Sequence, residues 1–166
     1  MLKLLRIIFL LACALELASC GSYRPLYGKG PDGLSVASSL SSLSVQEQHT
    51  RASQMLRNEI LDGTGTGRQR YDLKLDVTEK TIDVANLSST NNLRRRFMLS
   101  AHYEMVDTLN SKTLTAGDSF SNVEFDTINV PVSDLAAADN AKMRAAKELG
   151  QDIKLRLAAF LSSQKQ

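Results

Sequence analysis

Between Tyr71 and Thr78 apolar and polar residues alternate without a break, with Tyr71, Leu73, Leu75 and Val77 set against Asp72, Lys74, Asp76 and Thr78. Successive side chains of a strand point to opposite faces, so this stretch reads as a strand with one dry and one wet face. The pattern returns with Phe97, Leu99, Ala101, Tyr103 and Met105 against Arg96, Met98, Ser100, His102 and Glu104. Two such strands commit the chain to a sheet buried on one side, and that side needs an apolar cover.

Asn110-Ser111-Lys112 is a short turn, so the segment after it, Leu114 to Thr127, is expected to pair back as a hairpin. Its apolar residues are Phe120, Val123 and Phe125. Phe120 and Val123 have opposite parity, which suggests a bulge or a twist between them. Asn86 to Asn92 reads as a turn. Leu34 to Val45 reads as a first strand, irregular in its serine-rich middle.

Two stretches have helical spacing. Gln46 to Leu61 carries Ala52, Met55, Leu56 and Ile60 on one side, and Asp62-Gly63 ends it. After Pro131, Ser133 is the expected N-cap and Asp134 suits the positive helix end. Ala141, Ala145, Leu149, Ile153, Leu157, Phe160 and Leu161 then form one stripe, with Gly150 inside it at about 1 kcal/mol relative to Ala. The order strand-helix-strand-strand-strand-helix gives an α+β fold. We expect a two-layer sandwich, with two helices on one face of a roughly four-stranded mixed sheet. The first crossover makes strands one and two parallel and right-handed. The opposite face, with Asp72, Lys74, Asp76, Arg96, His102 and Glu104, is left to water or a partner.

The N-terminus stands outside this pattern. Lys3 and Arg6 precede an apolar run from Ile7 to Leu15, and the run closes on Leu17-Ala18-Ser19-Cys20. A basic start, a short apolar core and small residues before a cut make a secretory signal. The run is about half the roughly 20 residues of a spanning helix. Small residues ending on a cysteine make Leu17, Ala18 and Ser19 a lipobox, with Cys20 the residue that takes diacylglycerol and an N-acyl chain. Cys13 competes as an acceptor, but it leaves too short an apolar core. Two or more acyl chains anchor a protein stably. Gly21, rather than Asp, follows Cys20, which favours sorting to the outer membrane, with the domain on the periplasmic side.

The expected organisation is therefore residues 1–19 as a removed signal, 20–33 as a lipidated Gly/Pro tether, and 34–166 as one domain. In the tether, Tyr23, Leu26 and Tyr27 either dock on the domain or lie in the lipid interface. Removing 19 of 166 residues leaves 147, enough for one real core. The whole chain is +2, and the signal carries Lys3, Arg6 and Glu16, so the mature chain is +1. That is no field for nucleic acid. Cys13 is removed and Cys20 lipidated, so neither a disulfide nor a thiolate metal site is available.

No catalytic set emerges. His49 and His102 are far from any metal-spaced cluster, and no serine has a Gly-x-Ser-x-Gly setting. Gly63-Thr-Gly-Thr-Gly67 follows a helix and precedes a strand, the reverse of a phosphate-binding loop. Asp72 and Asp76, with Glu104 opposite, read more readily as a solvated face than as an acid/base pair. We expect no enzyme, cofactor or metal. Arg94-Arg95-Arg96 is the one charge run, and in a strand Arg94 and Arg96 share a side. With Lys74 and Arg70 they form either a basic patch for phosphate, such as that of lipid A in lipopolysaccharide, or a solvated strand end that blunts edge pairing.

Cys20-Gly21-Ser22-Tyr23-Arg24-Pro25-Leu26-Tyr27-Gly28 resembles the mature start of LPS-assembly lipoproteins of the LptE type, and Leu56-Arg57-Asn58-Glu59 resembles part of their first helix. Tyr23 stands where Phe is commoner. The resemblance implies a subunit that helps the outer-membrane β-barrel LptD assemble, plugs its lumen and contacts lipopolysaccharide. The partners would be that barrel, lipopolysaccharide and the outer-membrane lipid around the Cys20 acyl chains. The alternative is an auxiliary lipoprotein of another envelope lipid-transport complex.

Overall fold

The structure, a computed structural model, describes residues 36–63, 67–87 and 92–164. Leu17, Ala18, Ser19, Cys20, the Pro-Leu-Tyr-Gly segment and the middle of the glycine-rich loop lie outside the described residues. In chain order the elements are α1 (Val36–Leu40), β1 (Leu43–Val45), α2 (Arg51–Leu61), β2 (Tyr71–Leu87), β3 (Asn92–Asp107), β4 (Lys112–Thr127) and α3 (Pro131–Ser163). The strands lie side by side in the order β1-β2-β3-β4. β1 is parallel to β2, and the other two pairs are antiparallel. This is the expected α+β class.

The alternating residues face as their period requires. Leu73, Leu75, Phe97, Leu99, Ala101, Tyr103 and Met105 are buried. Leu56 and Ile60 of α2 and Leu149, Ile153 and Leu157 of α3 close over them. Each of the leucine, isoleucine, phenylalanine and methionine side chains contributes about 1.5–3 kcal/mol by leaving water. Small residues set how closely the layers approach. Ala141, Ala145 and Ala146 are buried on α3. A Cβ at Gly150 would stand 2.7 Å from Cγ of Glu59, so α2 crosses α3 where no side chain fits.

Four boundaries differ from expectation. Leu34 to Val45 is not one strand over its described part. Val36 and Leu40, spaced i and i+4, are both buried and make the short helix α1. The hydroxyls of Ser41 and Ser42 then bond back to the Ser38 carbonyl, at 2.8 and 3.3 Å, and close the turn. α2 begins at Arg51, not Gln46. Gln46 still pairs along β2, its N–H donating to the Leu73 carbonyl at 3.1 Å. Thr50 and Ser53 form a reciprocal capping box.

α3 starts at Pro131 with Val130 as N-cap, so Ser133 does not cap it. Proline's fixed φ and missing N–H suit the first helical position. Asp134 instead accepts the Ile128 N–H at 2.8 Å and fixes the loop into the helix. The β4 bulge falls at Leu114, because Met105 faces Thr115 and Val106 faces Thr113. From Thr115 to Thr127 the register is unbroken, so Phe120 simply points outward and is 73% exposed. A second bulge at Val84 interrupts β2.

Candidate interaction surface

The helices leave one sheet face uncovered, and its side chains stand in rungs fixed by the strand register. Lys74 faces Glu104; Asp76, His102 and Asp118 share a rung; Thr78, Ser100 and Phe120 follow; then Lys80, Met98 and Asn122; then Ile82, Arg96 and Glu124. Arg94 and Asp126 come next. Phe120, Met98 and Ile82 step diagonally across the middle of this face, between two charged ends.

The two arginine rungs are paired. Arg94 Nε donates to Asp126 Oδ1 at 2.8 Å, and its Nη2 donates to Oδ2 at 3.2 Å. Arg96 donates to Glu124 Oε1 through Nε at 3.1 Å and Nη2 at 2.5 Å. Arg95 points to the other face and meets Asp83 at 3.1 Å. The Asp126 carboxyl is held below its ordinary value, first by the hydrogen bond from Arg94, and the same bond raises the guanidinium.

At the other end His102 Nδ1 lies 2.8 Å from Asp118 Oδ1, and Nε2 lies 3.7 Å from Glu104 Oε1. The bond to Asp118 is the largest cause that raises the imidazole above its usual value, and Glu104 adds to it. Protonated, the ring donates to one carboxylate and attracts the other.

The sequence-level basic patch does not assemble. Arg94 and Arg96 share a side, as their parity requires, but each already holds a carboxylate. Lys74 faces Glu104, ten residues along β3 from Arg94, which is about 33 Å at the rise of a strand. Arg70 reaches toward Asp107 at 3.9 Å, at that same far end. Asp72 accepts the Ser44 hydroxyl at 2.7 Å and braces β1 rather than pairing with Asp76.

Asp118, Glu124 and Asp126 were not legible as partners. Their common parity on β4 is a signal, but a register counted from the hairpin turn without the Leu114 bulge would set Arg96 against Val123. On the helix side Ser121 Oγ donates to Glu148 at 2.7 Å, Ser119 bonds Asp152, and Asp152 holds Arg156 at 2.7 Å. These bonds tie α3 to β4. Among the described residues no group of three or more metal-ligating side chains converges. No described helix is long and apolar enough to cross a membrane.

No family model and no curated protein matches the chain. Solved structures do. A lipoprotein candidate from Caulobacter crescentus CB15 is 27% identical with a TM-score of 0.68, covering 79% of this chain and 98% of its own. A minor lipoprotein from Acinetobacter baumannii shares the fold at 12% identity and a TM-score of 0.51, over 70% of this chain and 90% of its own. The chain is thus similar in sequence and fold to a lipoprotein of solved structure, and it shares the fold alone with a second one.

Proposed function

We propose that this chain is a non-enzymatic outer-membrane lipoprotein of the LptE type, seated against a β-barrel partner on the route of lipopolysaccharide to the cell surface. The observation that carries the reading is the uncovered sheet face, taken together with the Leu17-Ala18-Ser19-Cys20 sequence. The face is mostly polar, and Arg94, Arg96 and His102 are already paired with carboxylates across it. Such a surface meets a wet lumen wall at reduced desolvation cost, because Arg94, Arg96 and His102 each bring a carboxylate partner. The resemblance of Cys20 to Gly28 to the mature start of that family supplies the partner. Arg94 and Arg96, half-exposed at one end of the face, are the candidate contacts for lipid A phosphate; Lys74 would meet a different group.

Depletion tests the reading. Surface lipopolysaccharide should fall and the barrel should misassemble. Normal surface lipopolysaccharide after depletion would sink the proposal. Recovery of an inner-membrane ATPase complex in place of a large barrel, from whole envelope membranes solubilised with the tagged lipoprotein, would move the chain to another envelope system.

A further inference from the structure

The two edges of the sheet are not equivalent. The β2 edge is covered along much of its length. β1 pairs with Tyr71 to Leu73, Gln46 continues that pairing, Gln48 Nε2 donates to the Leu75 carbonyl at 3.4 Å, and Thr50 bonds the Glu79 carboxylate. The Val84 bulge then breaks the remainder. These are the devices by which edges are kept from pairing.

β4 has almost none of them. It ends the sheet, and no described strand lies beyond it. From Thr115 to Thr127 it runs without a bulge, a proline or a lysine, an edge of about 40 Å. Arg144 Nη2 donates to the Glu124 carbonyl at 3.3 Å, so that carbonyl points to the open side. Backbone direction alternates along a strand. The N–H and C=O groups of Asp118, Phe120, Asn122 and Asp126 therefore point the same way.

Side chains on both faces of this edge define what fits it. On the open face Asp118, Glu124 and Asp126 project beside Phe120. Across the sheet the charges alternate in sign, Arg96 then Glu124, Arg94 then Asp126, His102 then Asp118, and the alternation stops on a column of carboxylates. On the helix face Arg144, Glu148 and Asp152 mark the α3 flank over β4, and Leu155 continues that flank by helical spacing with 52% of its surface exposed. Two antiparallel registers of a second copy set like charges opposite each other. An antiparallel β4–β4 register that sets Phe120 opposite Asn122 puts Asp118 against Glu124. One centred on Asn122 puts Asp118 against Asp126. Like charges directly opposite are destabilising.

The geometry points to the β4 edge as a strand-addition site for an extended segment of the protein partner, with cationic side chains on the open face and apolar ones toward Leu155. The backbone of Asp118 to Asp126 supplies the ladder, and the carboxylate column and Leu155 set which sequence is accepted. This rests on the reading that the chain sits against a β-barrel partner.

Amide hydrogen exchange of the lipoprotein, free and in the purified barrel complex, tests it. In the complex the amides of Asp118, Phe120, Asn122, Glu124 and Asp126 should slow by about tenfold or more. Asn122→Pro, which removes one outward donor and leaves the β3 ladder, and Asp118→Lys should each lower recovery of the barrel while the exchange of Leu99 and Leu149 stays slow. A complex that forms with those β4 amides still exchanging freely overturns the strand-addition site and leaves the functional reading standing. Protection already present in the free monomer assigns the edge to this chain's own residues 20–35, and protection that grows with lipoprotein concentration assigns it to a second copy; either overturns the proposal. If no barrel complex forms, the functional reading and this site fall together.

Discussion

Arg94 and Asp126 stand directly opposite each other on β3 and β4, and two parallel N–H···O bonds join them. Two residues along, Arg96 faces Glu124, and its Nε and Nη2 both donate to the one oxygen Oε1. Arginines that look like a free basic run in the chain are thus half of a ladder. A phosphate must compete with two carboxylates to reach them.

This sets a paired expectation for lipid A vesicles. Arg94→Ala with Arg96→Ala should weaken binding several-fold, with unfolding transitions almost unmoved because exposed ion pairs add little. Glu124→Gln with Asp126→Asn should strengthen binding by releasing both guanidinium groups. Vesicle flotation measures both. Identical binding by all three proteins would remove the arginines from lipid recognition.

Asp126 should titrate below the roughly 3.9 of a free aspartate, since Arg94 favours its charged form. A depressed folded value means its contribution to stability is present above the unfolded value and is lost as pH falls through the folded one. Carboxyl carbon shifts followed by NMR should show Arg94→Ala returning Asp126 to the ordinary range.

For His102 the sign is opposite. Its folded value is raised, chiefly by the bond to Asp118. Its contribution is therefore present below about 6.5, the unfolded value, and is lost as pH rises through the folded one. Asp118→Asn should bring the imidazole titration down toward the free value, with a smaller fall for Glu104→Gln.

At Gly150 helix propensity and packing oppose each other. Alanine gains about 1 kcal/mol of propensity, but its Cβ would lie 2.7 Å from Glu59 Cγ and 3.0 Å from Glu59 Cβ. Overpacking costs about 1–3 kcal/mol. Gly150→Ala should therefore lower stability by about 1 kcal/mol in urea unfolding, and Gly150→Val by more. A stabilised alanine variant would show that α2 shifts freely. By comparison Leu99→Ala, fully buried in the sheet centre, should cost about 2–5 kcal/mol.

Cys20 carries the clearest chemical expectation of the sequence. Cys20→Ser should accumulate as an unprocessed, unlipidated precursor in cells labelled with palmitate. Label retained by the variant would place the acylation site elsewhere.

The faces of the sheet were legible because they depend on neighbours two residues apart. Leu73 and Leu99 are buried, and Lys74 and His102 exposed, in the positions their period assigns. The spacing of Leu56 with Ile60, and of Leu149 with Ile153, marked the two covering helices for the same reason. Tertiary structure decided what depends on residues far apart in the chain. One extra residue at Leu114 moves the register by a step, and that step, invisible to a period-two pattern, decides that Arg96 meets Glu124 instead of Val123. Val36 and Leu40 became helical because burial of both required it, although their segment has no strong helix signal. Gly150 is a costly residue by local rules and a needed one where α2 crosses. The open edge of β4 exists only once the strands are placed in order. Local periodicity fixed which way each side chain points, while pairing across long separations, where a single bulge reassigns every partner, fixed what each one touches.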